Sequence, residues 1–310
     1  MNDLAIVIVS WNCRSYLEQC LRSIEQSRPK CLHTVIVVDN DSADDTAVVI
    51  GGEFPWVTLV ANRENVGFTA ANNQAMRMVK SRYTLLLNPD TEVGEGVLDA
   101  LVEFMDDDEK IWGAGPLMLN ADRTIQISGV RFPSLKNITS EAFFLDRAFP
   151  RTRSFGAHKE LFEDPGKPRS VDYVQGSALM VRRKAIESVG GLDEQFFMYF
   201  EEADWCYRMK EAGGEIWYAP VGSVIHYGGG RFGHFDERRL VHYHRSLLYF
   251  FRKHYRLRQR VFVRPVLFVR SVVRIVIWGV IAVFQPDHRR EAISSARGYL
   301  KTLFLLAGRV

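Results

Sequence analysis

The chain has little cysteine and builds no framework from it. Cys13, Cys20, Cys31 and Cys206 are the four in 310 residues, and no two form a C-x-x-C pair. A disulfide scaffold or a zinc ribbon is therefore not expected, and reduced thiols in a cytosolic protein are. Low-complexity tracts and repeat periods are missing too, which sets aside solenoids and disordered linkers. The apolar run in MNDLAIVIVSW lacks a basic region before it and a small-residue cleavage site after it, so it reads as a first β-strand rather than a signal peptide. The following VSWNCRSYLEQ holds no glycine-rich basic loop of the kind nucleotidyl transfer on an α/β sheet usually needs.

Acids are scarce in one stretch. Between Arg231 and Arg274, twelve Lys or Arg stand against Asp236 and Glu237, while the first 230 residues are acidic on balance. A basic end with interleaved aromatics faces nucleic acid or an anionic membrane. Its apolar content favours the membrane, and no nucleic-acid partner is expected. Residues 236–256 read as an amphipathic helix, and PVLFVRSVVRIVIWGVIAVFQP adds about twenty largely apolar residues interrupted by Arg270 and Arg274. That length suffices to span a bilayer, but two arginines at its heart are costly there. A peripheral or monotopic helix fits better, with the arginines on lipid phosphates and Val, Ile and Trp278 in the acyl layer.

What is present upstream is a βαβαβαβ alternation. LAIVIV (4–9), TVIVVD, VTLVAN and YTLLLN are the strands; RSYLEQCLRSIEQS, the segment after DSADDT, and FTAANNQAMRMVK are the helices. Right-handed crossovers make this a doubly wound sheet, with ligands at the carboxyl ends of its strands. Ser10, Asp39 and Asp90 fall there. Further on, VDYVQGSALMVRR returns to strand, EEADWCYRMKEAGG reads as a helix with acids in its first turn, and EIWYAPVGSVIHYGG supplies two short strands ending at His226. The expected division is an α/β domain over 1–230 and a helical, membrane-associated region over 231–310.

Each candidate residue has a structural reading beside a chemical one. Asp39, followed by NDSADDT, either ends the strand and caps a helix or accepts the N3–H of uracil or thymine. Asp90 either opens a turn or ligates a hard cation such as Mg²⁺ or Mn²⁺ shared with phosphate oxygens. One carboxylate is thin coordination, and His226, also at a strand end, is the best second ligand. Glu201, Glu202 and Asp204 complement a helix N-terminus; flanked by the aromatics of EQFFMYFEEADW, one of them is also suited to act as a general base.

IVIVSWN, VVDNDSADDT, NVGFTAANNQA, LLLNPDTEV, VQGSALMVRR, GGLDEQFFMYFEEADWCYRMKEAG and VIHYGGG occur in this order. The series resembles that of the family 2 inverting glycosyltransferases of the GT-A fold, in the branch with bacterial rhamnosyltransferases and galactofuranosyltransferases. The resemblance covers roughly residues 3–256. It implies a nucleotide-sugar site lined by Ser10, Asn12, Asp39, Asn65, Gly67, Phe68 and Asn88, with Asp90 and His226 on Mn²⁺ or Mg²⁺. Glu202 would be the catalytic base, and Gln175, Gly176 and Trp205 would shape the acceptor site. Two positions depart from the pattern. Asn88 replaces the first Asp of D-x-D, an amide oxygen that ligates more weakly. The base is Glu rather than Asp, which keeps Glu201 as a rival. The implied activity moves a sugar, rhamnose from dTDP-rhamnose first and a UDP-sugar second, onto a lipid-linked saccharide at the cytoplasmic face of the plasma membrane. A silent nucleotide-sugar-binding protein is the alternative of a different class.

Overall fold

Residues 2–152, 154–155, 163–228 and 237–308 are described by the structure, a computed structural model. β1 (Asn2–Ser10), α1 (Arg14–Ser27), β2 (His33–Asp39), α2 (Thr46–Glu53), β3 (Val57–Ala61), α3 (Phe68–Met78) and β4 (Ser81–Leu87) follow the expected alternation. Parallel pairing sets these strands in the order β3-β2-β1-β4. Leu4, Ile6 and Ile8 face one side of the sheet and Ala5 and Val7 the other, and all are fully buried. A large aliphatic side chain buried in this way contributes about 1.5–3 kcal/mol, so the uninterrupted apolar run is what covering both faces requires.

Past β4 the sheet becomes mixed. β5 (Thr91–Val93), α4 (Val97–Asp106) and β6 (Ile111–Leu119) come next, and β7 (Ile125–Gln126) folds back on β6. β8 (Gly129–Val130) pairs with a later short strand, β10 (Tyr173–Val174), while β9 (Arg169–Val171) joins the main sheet. β11 (Ala178–Arg182) inserts between β4 and β6, antiparallel to both. α7 (Arg183–Val189) and α8 (Glu201–Glu211) lead to β12 (Glu215–His226), which runs parallel to β6 and antiparallel to β5 at the edge. The result is the expected doubly wound mixed sheet. β12 is one strand, not the two expected: a register shift between Tyr218 and Ser223 carries it past Pro220 and Gly222.

The chain forms two compact units, residues 1–131, 164–197 and 201–230 in the first, and 132–163, 198–200 and 231–310 in the second. The second unit thus takes in an internal segment as well as the chain beyond Gly230. Within it α5 (Leu135–Ala142) and the short α6 (Leu145–Ala148) join α9 (Glu237–His254), α10 (Leu257–Phe284) and α11 (Arg289–Leu306), with α5 packed on α10. The reason is chemical: Arg270 of α10 pairs with Glu141 of α5 at 3.3 Å, and the Arg274 guanidinium lies 4.0 Å from the Phe144 ring centroid.

That corrects the expectation of arginines on lipid phosphates. Positions 270 and 274 share the helix face of Val263, Leu267 and Ser271, all buried, so the arginines turn into the helical unit. The opposite face carries Phe262, Val269, Val276, Val280 and Val283, all exposed. α10 also starts eight residues before Pro265 and runs through it, with the proline on the exposed side. It is long and apolar enough to cross a membrane, with a mean hydropathy of 2.2 in its most apolar window.

Candidate active site

The parallel half of the sheet places Ser10 and Asp39 side by side at the ends of β1 and β2. Asp39 is 3 % exposed, and its Oδ1 has no hydrogen-bond partner. A buried acceptor left unmatched costs about 1–3 kcal/mol, which a ligand N–H would recover. The neighbouring Asn40 organises the wall beside it. Its Nδ2 donates to Asn65 Oδ1 at 2.9 Å and Gly67 O at 3.3 Å, and its Oδ1 accepts from Asn62 Nδ2 at 3.2 Å and Val66 N at 3.1 Å. Gly67 has φ +88°, and a Cβ there would lie 2.7 Å from the Phe197 ring, so only glycine lets this loop close. Phe68 N–H completes the contact on Phe197 O at 3.2 Å.

Two residues expected to line this site are used otherwise. Ser10 is fully buried, with its hydroxyl 3.3 Å from Cys13 Sγ. Asn12, at φ +51°, donates its backbone N–H to Ser42 Oγ and accepts Ala43 N–H on Oδ1. Asn12 therefore braces the loop that follows Asp39, while the Ser10 hydroxyl is spent on the turn after β1. A cavity of about 360 Å³ lined by Asn2, Thr34, Thr58, Lys80 and Ser81 opens at the amino ends of these strands, away from the carboxyl-end residues.

The antiparallel edge brings the second cluster together. β5 and β12 pair His226 with Thr91, and Tyr227 N–H donates to Asp90 O at 2.9 Å. His226 Nε2 then lies 3.2 Å from Asp90 Oδ1 and 3.3 Å from Asn88 Nδ2. A Cβ on Gly228 would fall 2.1 Å from Asp90 Oδ2, so the backbone must pass the carboxylate as glycine. Among the described residues no third His, Cys, Asp or Glu joins the pair. An imidazole nitrogen and a carboxylate oxygen converging at this spacing suit a divalent cation that takes its other ligands from phosphate and water. Gln126, which had no signal in the sequence, stands behind His226, with Oε1 3.0 Å from Nδ1.

α8 supplies the carboxylates. Asp204 is fully buried and pairs with Arg208 at 2.9 Å, and Arg208 also donates to Gly191 O at 2.7 Å. Trp205, expected at the acceptor site, is fully buried, with its indole N–H on Gly190 O at 2.8 Å. It anchors the helix to the 189–191 turn and is sealed from any acceptor. Glu201 is 6 % exposed, and burial, reinforced by the Glu202 charge, pushes its carboxyl well up. Glu202 is half-buried, and burial raises it as well, against backbone N–H groups, Gly176 among them, that favour its anion. Its Oε2 has no partner. Gly176 leads into Ser177, whose carbonyl accepts Asn88 N–H at 2.9 Å. Gly176 and Ser177 thus link the Glu202 contact to Asn88 through consecutive residues. Gln175 donates its backbone N–H to Ser128 O at 2.9 Å on the same side.

The family model described as glycosyl transferase family 2 matches residues 5–190, more than half of the chain. The chain is a family 2 glycosyltransferase. It is 28 % identical over 258 residues to the N-acetylglucosaminyl-diphospho-decaprenol L-rhamnosyltransferase of Mycobacterium tuberculosis, covering 80 % of this chain and 83 % of that one. Rhamnosyltransferase WbbL of Escherichia coli is 24 % identical over 241 residues, covering 75 % and 84 %. Among solved structures, the mannosyltransferase PcManGT of Pyrobaculum calidifontis, in complex with GDP-Man and Mn²⁺, superposes with TM-score 0.58 at 14 % identity, covering 98 % and 89 %. That likeness establishes a shared glycosyltransferase fold. In the transferase, the residues just described occupy the carboxyl edge at which such a sheet holds its ligands.

Proposed function

We propose that the enzyme transfers rhamnose from dTDP-rhamnose to a hydroxyl of a lipid-linked saccharide, with inversion, during cell-surface polysaccharide assembly. The observation that carries this reading is the Asp90–His226 pair at 3.2 Å, with Glu202, part-exposed and with one unpartnered oxygen, beside the Gly176–Ser177 segment that accepts Asn88 N–H. The names of the two rhamnosyltransferase relatives support the sugar and, for the mycobacterial one, the lipid-diphosphate acceptor.

In this mechanism Asp39 accepts the pyrimidine N3–H and the Asn65–Phe68 loop walls the nucleotide. Asp90 and His226 would hold Mn²⁺ or Mg²⁺, with the Asn88 amide beside them at 3.3 Å from His226 Nε2; when bound, the cation would offset charge on the departing nucleoside diphosphate. Gln175 and Gly176 flank the acceptor. Glu202 takes the proton of the acceptor hydroxyl, whose oxygen bonds to the anomeric carbon as the carbon–diphosphate bond breaks on the opposite face. No sugar–enzyme bond forms. A UDP-sugar is the second reading, because uracil presents the same N3–H.

Calorimetric titration with dTDP, UDP, CDP and GDP, each with Mn²⁺, tests the donor class. The first two are expected to bind at least tenfold more tightly than the others, and Asp39→Ala to flatten that ranking. Tight GDP binding by the wild type removes Asp39 and the pyrimidine donor together. Labelled dTDP-rhamnose and UDP-sugars incubated with membrane lipid extract then identify the sugar; failure of every donor favours the silent binding protein.

The exposed apolar face of α10 supports seating at the cytoplasmic face of the plasma membrane. From Arg238 to Pro286 the sequence has no Asp or Glu, and exposed Arg256, Arg258 and Arg260 precede the apolar face while Arg289 and Arg290 follow it. Apolar side chains between cationic ends match an anionic bilayer surface. Glutamates at Val276, Val280 and Val283 are expected to move the enzyme from the pellet to the supernatant in sedimentation with anionic vesicles. Transfer to a water-soluble acceptor analogue should stay within about threefold of wild type, the scale of the loss expected when no catalytic group is touched. Undiminished sedimentation would exclude this face from membrane contact.

A further inference from the structure

Asp90 lies in a tight turn, and a turn aims its side chain only as well as its ends are held together. Pro89 and Asp90 are its two central residues, between Asn88 just past β4 and Thr91 at the start of β5. Proline fixes φ at the first central position, as such a turn requires. The direction of Asp90 then depends on how residues 88 and 91 are joined. Thr91 joins them from the inside. It is fully buried, and its hydroxyl donates to Asn88 O at 2.7 Å. Cys20 of α1 stands behind this bond, with Sγ 3.5 Å from the Thr91 hydroxyl and 3.8 Å from Asn88 O. Ser23 of the same helix accepts Val93 N–H at 2.9 Å, so α1 braces β5 along its length.

Two backbone bonds complete the frame: Asn88 N–H on Ser177 O and Tyr227 N–H on Asp90 O, both at 2.9 Å. Thr91 is also the register partner of His226 across β5 and β12. Asp90 thus reaches His226, at 3.2 Å, from the position next to that pair. Of the three bonds that frame the turn, only the Thr91 bond comes from a side chain. Valine has the shape of threonine without the hydroxyl. In its place Asn88 O would keep the longer, weaker thiol contact. The Asp90 side chain is 25 % exposed, so water is near, and the turn would open to let it reach that carbonyl.

We propose that Thr91 is a positioning residue: its hydroxyl holds the 88–91 turn shut from the buried side and so sets Asp90 against His226. The consequence for catalysis rests on the metal reading above; the closed turn does not.

The test compares the full-length wild type with Thr91→Val and with Thr91→Ser, which keeps the hydroxyl. Without metal, amide hydrogen exchange reads the turn through Tyr227 N–H, which donates to Asp90 O. Thr91→Val is expected to exchange this proton about fivefold faster or more, the scale of one lost hydrogen bond, and Thr91→Ser to stay within about twofold of wild type. The amides of Ile6 and Val7 in β1 should be unaffected in both. With dTDP present, Mn²⁺ affinity by calorimetry is expected to fall about 10- to 100-fold in Thr91→Val, the range for removing support behind a metal ligand, and to recover in Thr91→Ser. Unchanged Tyr227 exchange in Thr91→Val overturns the proposal. Equal acceleration in Thr91→Ser assigns the effect to packing, and equal acceleration at Ile6 and Val7 assigns it to general destabilisation; either overturns it. So does a Thr91→Val enzyme that exchanges faster yet binds Mn²⁺ as the wild type does. A wild type that ignores Mn²⁺, while Thr91→Val alone frees the Tyr227 proton, supports the closed turn and removes only the metal reading.

Discussion

Asp90→Ala is expected to lower kcat/KM by about 100-fold or more and to abolish the stimulation of donor binding by Mn²⁺. The size follows from the several kcal/mol that a cation contributes to charge stabilisation during group transfer, at 1.36 kcal/mol per tenfold in rate. The variant should fold, because the bond that position 90 contributes to the edge is made by its backbone carbonyl, from Tyr227 N–H. His226 would remain as the one strong protein ligand, since the Asn88 amide turns its nitrogen toward His226 Nε2 at 3.3 Å. A chelator should silence the wild type, and added Mn²⁺ or Mg²⁺ should restore it. Full activity after chelation, or an Asp90→Ala enzyme with unchanged metal response, would remove the cation from this site.

Glu202→Gln should cost about 10²–10⁴-fold in kcat, the range for a missing general base, while dTDP affinity stays near wild type. An amide keeps the shape and the Gly176 contact but takes no proton. The pH dependence has a definite sign. A base works as its anion, and burial raises Glu202 above the ordinary carboxylate range. The acid limb of the wild-type kcat profile should therefore lie above that range, with rate lost as pH falls through it. Glu201→Gln is the control and should be milder, since Glu201 is sealed from an acceptor and burial pushes its carboxyl up. Reversed effects in the two variants would make Glu201 the base.

The first four strands were legible because burial on both faces writes an unbroken apolar run, and their carboxyl ends located Asp39 and Asp90 without further information. His226 and Glu202 were legible as types of residue at element ends. What escaped depends on partners remote in sequence. Trp205 is as aromatic as an acceptor platform would be, and only Gly190 O reveals it as an anchor. Ser10 and Asn12 stand at the right edge but spend their polar atoms on the adjoining loop. The inward turn of Arg270 and Arg274 follows from Glu141 and Phe144, more than a hundred residues earlier. α11 carries its buried face on small residues such as Ala292 and Ser295, too weak a hydrophobic rhythm to mark a helix in advance.

The Arg270–Glu141 pair also governs how this enzyme could be recombined with others. The pair is shielded rather than sealed, its side chains 12 % and 21 % exposed, and a hybrid that exchanged only the chain after Gly230 would leave one poorly solvated charge without its opposite. Any successful chimera should therefore carry residues 132–163 and 237–308 from the same parent, two cassettes far apart in the gene that behave as one inherited part.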